Sequence, residues 1–181
     1  MKIKEIFSAE RFYFLRHGES INNKNDLVNG WTDCSLTDTG REQARKAAII
    51  LKKEPISRIV TSDLQRALET AEIVASELNL PVEKYPELRE RNWGIYENGP
   101  RSQRPGLHET PEKGEGPQEY YERVVNALQK VNIVNNTLIV GHAGTMRVLM
   151  TLLECKVEER RIPNTKPFLI TLKNLEIFRL I

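Results

Sequence analysis

This 181-residue sequence predicts an α/β fold, a three-layer α/β/α sandwich around a mainly parallel sheet with an antiparallel edge strand. Three observations carry that reading. Short apolar runs that stop at polar turns alternate along the chain with longer segments whose apolar residues recur at helical spacing. Strands that alternate with helices pair in parallel and take helices on both faces of the sheet. The last two apolar runs are close enough to form a hairpin, which supplies the antiparallel element.

The elements follow in order. Phe12, Tyr13, Phe14 and Leu15 form a four-residue apolar run that ends at Arg16-His17-Gly18, as a buried strand does when it empties into a loop. Thr37 precedes Ala44, Ala47, Ala48 and Leu51 at helical spacing and is placed to cap that helix. Residues 56–60 form the next strand. It stops at Thr61-Ser62-Asp63, three capping residue types, before a helix carrying Leu64, Ala67, Leu68, Ala71, Val74 and Leu78. Residues 81–85 form a short strand, and 86–117 a Gly- and Pro-rich loop without periodicity, long enough to be functional. A helix over 118–131, a strand over 137–140 ending at Gly141-His142-Ala143-Gly144, and a helix from 145 to about 154 come next. Strands over 168–172 and 176–180 close the chain around Lys173-Asn174.

Composition narrows the function classes. The chain has 27 basic and 25 acidic residues, a net charge of +2, too balanced to imply a nucleic-acid or membrane surface. With 39% hydrophobic and 29% charged residues it is globular rather than disordered or fibrous, and its length suits a single domain over 1–181 with the loop at about 86–117 as a short cap. Lys2, Lys4, Glu5 and Glu10 leave no apolar core for a secretory signal at the start, and no apolar run is long enough to span a bilayer. Cys34 and Cys155 fit no metal-ligand spacing and no disulfide framework. A cytoplasmic protein with free thiols is expected.

In open α/β sheets ligands bind beyond the carboxyl ends of the strands. His17, Thr61-Ser62 and His142 each follow a strand, so all three converge on that rim. Arg16 shares the loop of His17. Arg66 lies one turn into a helix, and helical side chains lean toward the helix N-terminus, which returns its guanidinium to the rim. Two arginines, two histidines and a helix N-terminus around one small volume suit a phosphate, and Gly18 and Gly144 would allow close backbone approach. A neutral imidazole among cations keeps a ring nitrogen free to attack phosphorus.

These residues resemble the histidine phosphatase superfamily, in the branch that includes the cofactor-dependent phosphoglycerate mutases. Arg16-His17-Gly18-Glu19-Ser20 is similar to the family signature, with Asn23 as its trailing asparagine. Gly30-Trp31, Leu36-Thr37 and Gly40 resemble the next block, Thr61-Ser62 through Arg66-Ala67 and Thr70-Ala71 the third, and Gly141-His142-Ala143-Gly144 with Arg147 the last. The resemblance implies that His17 becomes phosphorylated, that Arg16, Arg66 and His142 hold the phosphate, and that Asn23 and Ser62 support it. Leu88-Arg89-Glu90-Arg91 followed by Gly94 is similar to the family's Leu-x-Glu-Arg segment, which implies that Glu90 protonates the leaving oxygen and later activates the acceptor. Gly30, Trp31, Arg91 and Ala143 from these blocks, with Arg101 and Arg104 from the loop, complete the expected substrate-binding set. Asn98-Gly99 departs from the Glu-Gly usual just after the acid segment.

Mutases of the family are longer, with an insert that keeps the phosphoenzyme dry. Here only about 25 residues separate Gly94 from the helix near Glu119. The expectation is therefore a metal-independent phosphomonoesterase, a hydrolase acting on a small phosphorylated metabolite without a cofactor. The alternative is a phosphoglycerate mutase, an isomerase primed by 2,3-bisphosphoglycerate, and a third reading is a non-catalytic phosphate-binding module. Arg101, Arg104 and Lys113 make the loop either a lid for an acidic substrate or plain solvated surface, and His108 reads as solvent-exposed. Cys155 and Arg161 match a cysteine-phosphatase spacing, but Glu158 and Glu159 between them would repel phosphate. An edge strand of the closing hairpin offers a surface for a homodimer or is an ordinary edge.

Overall fold

The computed structural model describes residues 6–154 and 162–181. Its central strand dictates how the layers stack. In β2 (Arg11–Arg16), Phe12, Tyr13, Phe14 and Leu15 are all fully buried, and successive side chains of a strand point to opposite faces. A strand apolar on both sides must be covered on both sides.

Tyr13 and Leu15 pack with α2 (Asp38–Leu51) and α3 (Gln65–Leu78), through Ala47, Ala48, Leu51, Ala71 and Val74. Phe12 and Phe14 pack on the opposite face with α4 (Pro117–Val131) and α5 (Ala143–Leu152), through Val124, Leu128, Met146 and Leu149. A further helix, α1 (Ile21–Lys24), is a single turn just after the end of β2. The sheet order is β4-β3-β6-β2-β7-β8, where β3 is Arg58–Thr61, β4 Val82–Lys84, β6 Thr137–Gly141, β7 Pro167–Thr171 and β8 Glu176–Arg179. The four strands from β4 to β2 are parallel, and β7 and β8 pair antiparallel at one edge. The predicted α/β/α sandwich and its antiparallel edge are both present.

Differences from the expected elements have local causes. Thr37 caps α2 as predicted, its hydroxyl accepting from the Gly40 amide. The three polar residues before α3 do not cap it, because each is bound elsewhere: Thr61 Oγ1 to the Val140 carbonyl, Ser62 Oγ to His142, and Asp63 to Arg89. Leu64 stands at that cap instead. The 86–117 loop contains three single turns of 3-10 helix, Pro86–Leu88, Gly94–Tyr96 and Arg101–Gln103. Asn98 takes a left-handed conformation with φ +62°, which asparagine tolerates, and its Oδ1 accepts from Asn22 Nδ2 at 2.8 Å. A two-stranded parallel pair of β1 (Phe7–Ser8) and β5 (Ile133–Val134) is too short to leave a sequence pattern. Cys155 and Arg161 lie outside the described residues, whereas Cys34 is a free, half-buried thiol. Among the described residues no helix is long and apolar enough to cross a membrane.

Candidate active site

Three neighbouring strands, β3, β6 and β2, end side by side, and their register sets the site. Arg16 lies opposite Gly141, and Thr61 opposite Val140, so His17, Ser62 and His142 emerge at one level. The His17 amide donates to the Gly141 carbonyl at 2.9 Å, which carries the ladder one step past the last paired residue.

His17 is buried, and its Nδ1 lies 2.7 Å from the Gly18 carbonyl. A carbonyl oxygen only accepts, so Nδ1 carries the proton and Nε2 the lone pair. Burial, reinforced by the guanidinium groups of Arg66 and Arg16, holds this imidazole well below the ordinary histidine range and keeps it neutral. His142 is fully buried 5.3 Å away, ring centre to ring centre, and is also held well below the ordinary range, by burial first and by the Arg66 guanidinium next. Its Nε2 meets Ser62 Oγ at 2.8 Å, while its Nδ1 has no partner among the described residues.

Backbone carbonyls orient both arginines. Arg66, without solvent exposure, donates to the Thr32 and Gly30 carbonyls at 3.0 and 2.8 Å, and Arg16 donates to the Ile162 carbonyl at 2.6 Å. Carbonyl dipoles orient a guanidinium without neutralising it, so Arg66 keeps its charge for an anion.

Glu90 stands in the same cavity. Its Oε1 accepts from the Arg91 amide at 2.9 Å and the Tyr120 hydroxyl at 3.1 Å, and its Oε2 from the Gly144 amide at 3.1 Å. Arg123 donates to the carbonyls of Glu87, Arg89 and Glu90 and forms a two-pronged pair with Glu115 at 2.6 and 2.8 Å. The whole acid segment is thereby tied to α4.

Of the residues expected at the site, Arg16, His17, Asn23, Gly30, Arg66, Glu90, Arg91, Arg101, Arg104 and Ala143 line one cavity of about 330 Å³. His142, Ser62 and Trp31 are not among its lining residues: His142 is fully buried beside Ala143, which does line it. Ser62 is fully buried behind His142, and Trp31 donates its indole N–H to the Glu90 carbonyl at 2.7 Å. Arg91 spends its guanidinium on the carbonyls of Leu107, Glu109 and Glu115, so it braces the loop. Gly18 and Gly144 are needed for close approach to protein groups: a Cβ would lie 2.5 Å from the Gly40 carbonyl oxygen and 2.1 Å from Glu90 Oε1 respectively. Among the described residues no group of three or more His, Cys, Asp or Glu side chains is placed to hold a metal ion.

The family model of the histidine phosphatase superfamily, branch 1, matches residues 12–177, a span that runs from the strand before His17 into the last strand. The chain belongs to the histidine phosphatase superfamily.

The chain is 31% identical over 161 residues to the adenosylcobalamin/alpha-ribazole phosphatase of Salmonella typhimurium, covering 79% of each chain. It is 35% identical over 167 residues to the agropine synthesis reductase of Rhizobium rhizogenes, where 87% of this chain matches but only 38% of the reductase is spanned. A crystal structure of a candidate alpha-ribazole-5'-P phosphatase from Escherichia coli superposes with a TM-score of 0.79 at 26% identity, covering 96% of both chains.

Sequence reasoning gave no role to four groups that shape the site. Tyr120, Arg123 and Asn164 act on it from distant elements, Asn164 by donating to the His17 carbonyl at 2.7 Å. Thr70 accepts from the Gly18 amide at 3.0 Å. Tyr120 and Arg123 read as ordinary members of a helix, and only their spacing on one helix face, three residues apart, could have pointed to a shared target.

Proposed function

We propose that the protein is a metal-independent phosphomonoesterase that hydrolyses a small phosphorylated metabolite through a phosphohistidine on His17. The observation that carries this reading is the buried, neutral His17, whose tautomer leaves the Nε2 lone pair free in one cavity with the Arg16 and Arg66 guanidiniums and the Glu90 carboxyl. In the first step the Nε2 lone pair attacks phosphorus, the bond to the alcohol oxygen breaks, and Glu90 gives that oxygen its proton. In the second, water attacks the phosphohistidine, Glu90 takes a proton from it, and the breaking P–N bond returns its electron pair to Nε2. Arg16, Arg66 and His142 hold the charge that develops on the phosphoryl oxygens, with the free Nδ1 of His142 as a donor when Ser62 donates into Nε2. Asn23 and Ala143 line the same cavity, and Ser62 acts through His142.

Hydrolysis is favoured over isomerisation by the short segment between Gly94 and α4, which leaves little to exclude water. The phosphatase name of the Salmonella typhimurium relative points the same way.

The test is incubation with 3-phosphoglycerate and with an aryl phosphate, in chelator, with and without 2,3-bisphosphoglycerate, following inorganic phosphate and 2-phosphoglycerate together. Phosphate release that falls by about a thousandfold or more in His17→Ala is expected. Primed formation of 2-phosphoglycerate without net phosphate would make the protein a mutase, and silence on every substrate would make it a binding module.

A further inference from the structure

The cavity holds two cationic centres with the acid between them. The charges acting on His17 are those of Arg66 and Arg16, whereas those acting on Arg104 are Arg101, Arg147, Glu90 and Arg91. Glu90 is the group that would protonate the leaving oxygen, so the second centre lies on the side of the alcohol rather than of the transferring phosphoryl.

This second centre is built and not neutralised. The Arg104 guanidinium stacks 4.2 Å over the Trp93 ring, which also carries Arg91 at 4.4 Å, and Arg91 is anchored to three loop carbonyls. Arg147 reaches the cavity from α5. Other arginines around the acid have carboxylate partners: Arg89 has Asp63, Arg123 has Glu115, and Arg101 has Asp26 at 3.2 Å. Arg104 and Arg147 form no ion pair and no side-chain hydrogen bond among the described residues. Holding like charges together in a partly desolvated cavity is unfavourable until an anion joins them. His108 is exposed at the same mouth and adds a further donor.

We infer that the leaving alcohol of the substrate carries a second anionic group, a carboxylate or a phosphate, received by Arg104 and Arg147. This deepens the phosphatase reading and rests on it for the direction of the alcohol, so the test reads binding without turnover. Calorimetry with non-hydrolysable matched probes serves: propylphosphonate against 3-phosphonopropionate for a carboxylate, and against propane-1,3-diyl bisphosphonate for a second phosphonate. At least one doubly anionic probe is expected to bind about tenfold or more tighter than propylphosphonate. That advantage is expected to shrink toward one in Arg147→Gln and in Arg104→Gln, and the larger of the two advantages names the anion. Arg147→Gln removes no existing partner, so it keeps the comparison sound even where Arg104→Gln loosens the Trp93 stack. Equal affinities in the unaltered protein, or an advantage that survives both substitutions, would overturn the inference. An advantage without any hydrolysis in the turnover assay would leave it standing and sink the phosphatase reading alone.

Discussion

At the scale of single residues, the site works by what each polar atom is given as a partner. His17 has a carbonyl on Nδ1, which commits Nε2 to being the nucleophilic atom. Glu90 has three donors on its two oxygens, which fix its orientation within the cavity. One of the three is the amide of Gly144, and there is no room for a side chain at that residue, since a Cβ would stand 2.1 Å from Glu90 Oε1 and 2.5 Å from the Tyr120 hydroxyl. Gly144→Ala is therefore expected to lower kcat by about a hundredfold through displacement of the carboxyl. The same crowding against Glu90 and the buried Tyr120 should cost about 1–3 kcal/mol of stability, offset in part by the helix preference of alanine, so the melting temperature should fall modestly. A kcat within about threefold of the unaltered protein would show that the position of Glu90 does not limit the reaction.

At the scale of elements, the acid segment is irregular backbone made rigid by a helix. Residues 89–93 form no strand and no helix, yet three carbonyls of the surrounding stretch converge on the Arg123 guanidinium of α4. A planar fork can serve several acceptors at fixed angles, and a lysine ammonium cannot. Arg123→Lys should reduce kcat by about ten- to a hundredfold with a smaller change in KM, because the substrate's phosphate contacts are untouched. It should also cost about 1–3 kcal/mol of stability, since the buried Glu115 carboxylate loses its two-pronged partner. Steady-state kinetics and a urea midpoint check both halves, and a variant that loses stability while keeping kcat would confine Arg123 to a structural role.

At the scale of the whole molecule, burying two imidazoles at the strand ends couples the site to stability. His17 and His142 are both held well below the ordinary value of 6.5 by burial first and by neighbouring cations next. Below that value the unfolded chain binds protons that the folded one refuses, so stability is complete above about pH 6.5 and declines as the pH falls. Asp63, Glu83 and Glu87 are held below their ordinary carboxylate values of 3.8 to 4.5, so their losses begin at lower pH. A decline between about pH 7 and 5 thus belongs to the histidines. The urea midpoint should fall across that window, and the fall should flatten in His17→Asn combined with His142→Asn. A midpoint that rises toward acid would contradict the burial of these rings as neutral groups.

The sequence by itself determined the elements and the strand-end chemistry. Phe12 to Leu15 announce a doubly buried strand, and helical spacing announces α2, α3 and α4, because periodicity is a local property that burial selects residue by residue. That the site residues gather at one rim followed from the rule for strand ends, which needs only the order of elements. The tertiary structure alone decided which of them face the cavity and which stand behind it. Ser62 and Trp31 were legible as site residues but not as supports of His142 and Glu90, since a hydroxyl or an indole N–H takes whatever acceptor the fold brings near. Asn164 carried no signal, and Tyr120 and Arg123 only a shared helix face, because their partners at Glu90 and His17 lie 30 to 147 residues away along the chain. Hydrogen bonds of that range depend on the strand order β3-β6-β2 and on the placement of α4 beside the acid segment, and packing settles both only when the layers close.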